Sequence, residues 1–508
     1  MKKRIFLLLL FCSVSIASEP ARKPKLVLTI VLDQFRYDYL TRYRDEYRAG
    51  LSRLLTQGAV FEDAHYEHFP TVTAVGHSVI LTGAMPSVSG IIGNDWYDRK
   101  IAANVTSISD ERFQIFGAEQ GGASPERLLV TTVGDELKRA TGRKSRVFGI
   151  SLKARAAILP AGHAADAAYW LDTETGNFVS SAFYMPSLPG WVREFNSTAI
   201  QRYKGAQWSG GIMPADHTLA ASLVASPFGN DLLEAFAERL MDREKLGRNT
   251  VPDLLSISFS SIDYAGHVFG PDSAQAKAIC LETDQILERL FQFIDASIGL
   301  SNTVIVVLAD HGVADMPEAN QALSIPAGRM PPDIIQNTVQ AELTNKYGEG
   351  KWILSSSEHS LYLNQDLARK KKIARAALEE AVQEIVLEIP HVFRVYSRQQ
   401  LLNGNVGGDS IARSVFNGFN AARGADIYIL LEPFWMFAPS GDTTHGTAFN
   451  YDNHVPVIFM GMNIRPGIYV NRILVNDVAP TLSNLLQIEM PSGSCGRILL
   501  EILQHTSQ

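Results

Sequence analysis

Short unbroken apolar runs recur along the chain, each closed by a charged or small residue: KLVLTIVLD (25–33), RVFGISL (146–152), DLLSISFSSID (253–263), NTVIVVLAD (302–310), DIYILLE (426–432) and VPVIFMG (455–461). Apolar residues at consecutive rather than alternate positions suit strands buried on both faces. Between them lie stretches of helical period at 73–83, 126–142, 230–247, 272–297, 367–385 and 476–488. Strands alternating with helices predict an α/β fold, a three-layer αβα sandwich around a largely parallel central sheet. Two regions break the alternation. Residues near 157–229 are rich in Gly, Pro, Ser, Trp and Tyr and read as a cap insertion of short strands and loops. Residues near 318–425, with a basic helix and the segment NGNVGGD, read as a second insertion. A single domain over 25–490 carries both. The run Arg369–Lys372 reads as a solvated helix face.

In such sheets reactive groups gather beyond the C-terminal ends of the strands, where loops converge over a rigid frame. The first strand ends at Asp33; the 253–263 run ends at Asp263, with His267 four residues on; the 302–310 run ends in Asp310-His311-Gly312; His445 stands in TTHGT before the last run. Each of these has an ordinary explanation as a turn or structural residue. Three Asp and three His at one sheet edge are harder to explain so. Hard and borderline ligands without thiols suit two Zn2+ ions, each with an open position. Asp263 and His267, at i and i+4, share one side of a helical turn and can share one ion. Asp310 and His311 are adjacent and converge only if the chain turns, which Gly312 permits.

Thr73, in HFPTVTAVGHSVILTG, falls in the first turn of a helix. Free N–H groups and the positive dipole end there favour an alkoxide or a phosphoryl oxygen, so Thr73 is the candidate nucleophile beside a metal. His77 and His454 read as structural. Asn94, in GIIGNDWYD, offers an amide donor. Lys153 and Arg155, in SLKARAAIL, point the same way if their segment stays extended, and two cations match a phosphate monoester dianion better than a diester.

Composition narrows the partners. The 508 residues are 46% hydrophobic with 46 Lys+Arg against 53 Asp+Glu, a net charge of −7. That suits a large globular core and argues against nucleic acid as a partner. Met1-Lys2-Lys3-Arg4 followed by an apolar run from Ile5 to Ala17 reads as a signal peptide over residues 1–17. It predicts a periplasmic or secreted protein, without membrane attachment after cleavage. Only Cys280 and Cys495 remain outside that leader, and their pairing is open.

The motifs PTVTAVGH, DHG after a strand, D-x-x-x-H at 263–267 and HGT…HVP at 445–456 together resemble the type I phosphodiesterase/nucleotide pyrophosphatase family of the alkaline phosphatase superfamily. The likeness runs from about residue 25 to 490 and is nearest to the family's bacterial periplasmic alkaline phosphatases with a Thr nucleophile. The resemblance implies that Asp33, Asp310 and His311 hold one zinc, which Thr73 also ligates, and that Asp263, His267 and His445 hold the other. It implies phosphate contacts for Asn94, Lys153 and Arg155, small phosphate monoesters as substrates, and a phosphothreonine intermediate. The rival readings are a phosphodiesterase or nucleotide pyrophosphatase, and a metal- or phosphate-binding protein without catalysis. Sulfatase chemistry fits least, because no Cys stands at the helix start.

Overall fold

The computed structural model describes residues 22–118, 121–357, 359–438 and 441–504. The leader expected at 1–17 lies outside them. Its organising element is an eleven-stranded sheet. Five strands at its centre run parallel in the order Thr303–Leu308, Leu26–Leu32, Asp253–Phe259, Val147–Ser151 and Ala167–Asp172. Val457–Gly461 pairs antiparallel with Thr303–Leu308 on one side, and Asn177–Ser181 pairs antiparallel with Ala167–Asp172 on the other. Every residue of Leu26–Leu32 is buried, as its continuous apolar run requires. Each such Leu, Ile or Val contributes about 1.5–3 kcal/mol by leaving water.

Helices cover the sheet in two packed groups. One contains Gly50–Gln57, Pro227–Arg243 and Ala274–Ser297; the other contains Thr73–Thr82, Val133–Ala140, Ala154–Ala161 and Val478–Leu486. Among the described residues no helix is long and apolar enough to cross a membrane. Cys280, buried in the core, and Cys495, at the surface, are both free thiols.

Several elements differ from expectation. The strand expected through Asp263 stops at Phe259, and a helix, Ser261–Phe269, carries Asp263 in its first turn. The helix expected over 126–142 begins only at Val133, behind a capping box of Thr132 and Asp135. The 367–385 helix is split into Gln365–Lys370 and Arg375–Leu387, with Lys372 between them at φ 60. Part of the segment 157–229 is not a cap: Ala167–Asp172 and Asn177–Ser181 extend the central sheet. Their buried faces meet neighbouring strands, which a reading of polar, Gly-rich flanks does not reveal. Ile427–Leu431, read as a central strand, instead belongs to a smaller four-stranded sheet with Ile353–Ser357, Ser360–Leu363 and Val392–Ser397. That sheet has its own core, including Trp352, Leu378, Val382 and Ile429.

Candidate functional site

Asp33 leaves the first strand, Asp310 and His311 leave Thr303–Leu308, and Asp263 and His267 sit one turn apart on the helix after Asp253–Phe259. The loop before the last long strand brings in His445. These six side chains form two groups, Asp33–Asp310–His311 and Asp263–His267–His445, each with ligand atoms within 4.8 Å of one another.

The three imidazoles are oriented alike. His311 Nδ1 donates to the Gly312 carbonyl at 2.9 Å, His267 Nδ1 to Thr443 at 2.8 Å, and His445 Nδ1 to Thr71 at 2.9 Å. Each Nε2 is thereby left with its lone pair facing carboxylate oxygen. His311 Nε2 lies 3.3 Å from Asp310 Oδ2 and 3.6 Å from Asp33 Oδ1; His267 and His445 Nε2 lie 3.4 and 3.6 Å from Asp263 Oδ1. A proton fixed on one nitrogen by a backbone acceptor, with the other nitrogen aimed at anionic oxygen, is how proteins prepare His to hold a metal.

The electrostatics agree. Three buried aspartates share the space, and Asp33 Oδ1 is buried without a hydrogen-bond donor. Burial, then repulsion from Asp263 and Asp310, pushes the Asp33 carboxyl up from its ordinary value. Burial opposes ionisation of Asp263 as well, but the Lys153 ammonium and His267 hold it well below the usual range. Burial and the neighbouring His311 and His267 hold His445 far below an ordinary imidazole. A carboxylate cluster short of compensating cations, with the His445 imidazole held neutral beside it, fits divalent ions at both groups.

Thr73 is the first residue of the helix Thr73–Thr82, after an extended Val72. Its Oγ1 lies 3.4 Å from His311 Nε2 and 3.5 Å from Arg155 Nη2. Gly76 allows this helix to approach: a Cβ there would stand 2.2 Å from the Asp310 carbonyl oxygen. Asn94 Oδ1 accepts from the Ala74 N–H at 2.9 Å, which fixes the amide and leaves its NH2 as the donor end. Lys153 and Arg155 both reach the site, though not along an extended segment. Lys153 caps the helix Ala154–Ala161, and Arg155 lies in its first turn. The buried Lys153 ammonium bridges Asp33 Oδ2, at 2.7 Å, and Asp263 Oδ2.

Over these groups opens a cleft of about 410 Å3. Its wall includes Trp96, Tyr97, Asn104, Ser355, Tyr362 and Tyr428, with Ser355 hydrogen-bonded to Asn104 and Tyr97 packed on Tyr362. The segment 157–229 contributes nothing to it.

Two supporting residues, Gln34 and Asp452, escaped sequence reasoning, and His77, read as structural, is a third support. Gln34, buried at φ 64, donates its backbone N–H to Asp310 Oδ1 (3.1 Å) and its side-chain amide to Asp263 Oδ1 (3.0 Å), touching one carboxylate in each group. Gly266 faces it, where a Cβ would meet Gln34 Oε1 at 1.9 Å. His77 Nδ1 lies 3.1 Å from Asp310 Oδ2. Asp452 accepts from Gly446 N, Thr447 N and Thr447 Oγ1, holding the turn beside His445. Only adjacency to Asp33 could have flagged Gln34.

Known proteins resemble the whole chain. Alkaline phosphatase PafA of Elizabethkingia meningoseptica is 34% identical over 95% of both chains. A Myroides odoratus protein named calcium-transporting ATPase is 33% identical over 97% of both. The crystal structure of wild-type PafA superposes with a TM-score of 0.89 at 33% identity, covering 96% of this chain and 100% of that one. A PafA variant changed at one Thr, one Asn, one Lys and one Arg matches equally well, with TM-score 0.89. The sequence profile described as type I phosphodiesterase / nucleotide pyrophosphatase matches residues 27–452. The chain belongs to the type I phosphodiesterase / nucleotide pyrophosphatase family.

Proposed function

We propose that this protein is an alkaline phosphatase that hydrolyses small phosphate monoesters with Thr73 as nucleophile and two Zn2+ ions as cofactors. The observation that carries the reading is the common orientation of His267, His311 and His445, each with Nε2 turned toward buried carboxylates around Thr73. Asp33, Asp310 and His311 would hold one ion and Asp263, His267 and His445 the other. When bound, such ions supply Lewis acidity that lowers the pKa of a hydroxyl and stabilises charge on entering and leaving oxygens.

The chain's own residues do the rest. Thr73 Oγ1 stands at a helix N-terminus, whose N–H groups and dipole favour negative charge on it and on phosphoryl oxygens. It attacks phosphorus in line, releases the alcohol and forms a phosphothreonine, which water then cleaves. The Asn94 amide, the Arg155 guanidinium and the Lys153 ammonium neutralise the non-bridging oxygens. The PafA variant supports this set. Its altered Thr and Asn are 21 positions apart and its Lys and Arg two apart, as are Thr73 and Asn94, and Lys153 and Arg155. Export through the leader at residues 1–17 would place the enzyme in the periplasm or outside the cell.

Metal analysis paired with hydrolysis of a matched monoester and diester tests the reading. Thr73→Ala should keep its metal and lose on the order of 10^4-fold in monoester turnover; near-normal turnover would mean the nucleophile is another group. Arg155→Ala should depress monoester kcat/KM on the order of 10^2-fold, and diester hydrolysis less. Equal losses would favour the phosphodiesterase reading. Hydrolysis of ATP without that of simple monoesters would favour the activity named for the Myroides relative.

A further inference from the structure

Outside the two groups at the cleft, a third set of metal-ligating side chains converges at one margin of the molecule: Asp63, His65 and His454, with ligand atoms within 4.8 Å of one another. Backbone pairing places them. The Val455 N–H donates to the Ala64 carbonyl and the Tyr66 N–H to the Asn453 carbonyl, so His65 and His454 form an antiparallel pair without hydrogen bonds of its own. In that register facing side chains come closest. The two rings lie 4.6 Å apart at 11°, and Tyr37 stacks on the far side of His454 at 4.3 Å.

The hydrogen bonds assign the protons. The Asn453 amide nitrogen donates to Ala448, so its Oδ1 is what faces His65 Nδ1, at 3.0 Å, and that ring nitrogen carries a hydrogen. His65 Nε2 then directs a lone pair at Asp63 Oδ1, 2.6 Å away. Two lone pairs at that distance repel unless a second proton lies between them or a metal cation, drawing them slightly apart, is bound by both. His454 Nε2 donates to the Glu62 carbonyl at 2.9 Å, which leaves Nδ1 as its free lone pair. Each imidazole thus gives one N–H to a protein oxygen and keeps the other nitrogen bare, the same preparation seen at the cleft.

We propose that Asp63, His65 and His454 hold a third divalent cation, of the borderline class that two imidazoles and one carboxylate select, such as Zn2+, Co2+ or Ni2+. The half-exposed Asp63, with 42% of its side chain accessible, leaves room for water to complete the coordination. The role is structural. The cation would clamp the short helix Asn450–Asn453, and with it Asp452 and the turn behind His445, to the strand Ala64–His65.

Equilibrium dialysis of the full chain against Zn2+, followed by metal counting, tests this on the wild type, Asp63→Asn and His454→Gln. The wild type should bind one equivalent more than either variant, whatever the cleft itself binds. Both variants should keep monoester turnover within about twofold in excess zinc, since neither residue lines the cleft. Zinc should also raise the thermal midpoint of the wild type by more than that of the variants. Asp63→Asn alters an accessible side chain without changing its size and should fold even if His454→Gln does not. If wild type and folded variant bind equal numbers of ions, the pair is an imidazolium–carboxylate contact only and the proposal is wrong.

Discussion

Two aspartates, Asp33 and Asp426, are equally inaccessible to water and are treated in opposite ways. Asp426 stands at the start of a strand in the smaller sheet. Its oxygens accept from the Leu363 N–H at 2.8 Å, Arg375 at 2.7 Å and Arg99 at 2.9 Å. Asp33, at the rim of the larger sheet, has the Lys153 ammonium against one oxygen and no donor for the other. A buried charge that the protein satisfies by itself ties a fold together. One left short of partners, beside two like charges and prepared imidazoles, is held for a cation supplied from outside.

Substitution at the two positions should separate these roles. Asp33→Asn removes a ligand and should lower monoester turnover by on the order of 10^3-fold or more, with loss of about one bound metal equivalent. In the metal-free protein the same change should stabilise, because it deletes a crowded charge. Urea unfolding after chelation reads the sign, and a less stable metal-free variant would break the contrast. Asp426→Asn should do the reverse. It should keep turnover per folded molecule and metal content, and lower stability by about 1–3 kcal/mol. The loss falls below that of a wholly buried pair because Arg99 and Arg375 are partly exposed, at 29% and 43%.

The remaining contrast is one of pH. Burial, then Asp263 and Asp310, raises Asp33 from 3.8 to about 7 in the folded chain. A carboxyl raised on folding contributes stability that is complete below about 4 and is lost as pH climbs to about 7. The metal-free wild type should therefore weaken across that window, and metal-free Asp33→Asn should show a shallower decline. Identical slopes would mean Asp33 is not the strained group.

The six side chains of the two groups were legible in the sequence because buried parallel strands are continuous apolar runs, and the residue that closes each run marks a strand exit. Asp263 was found although its strand ends early, since the i, i+4 spacing to His267 holds in a helix. Gln34 was not legible. Its contacts depend on a left-handed backbone at φ 64 that no neighbouring Gly or Asn announces. The segment 157–229 was read as a cap insertion because it is aromatic and Gly-rich, yet its AAYWLD run pairs into the main sheet. Two residues of the cleft wall, Ser355 and Tyr362, stand on strands whose alternation is interrupted by a register shift between Ile353 and Ser355. His454 was read as structural because it stands at no ligand position of the family motif; its neighbours Asp63 and His65 were not legible because they lie almost four hundred positions away in the chain.

The most direct test is an anomalous difference map at the zinc edge from crystals of the wild-type protein grown with Zn2+. One strong peak should appear among Asp33, Asp310 and His311 and another among Asp263, His267 and His445. Each should lie about 2.0–2.2 Å from its ligand atoms, with Thr73 Oγ1 beside the first. Crystals of active enzyme that show no density at either group would contradict the two-zinc reading.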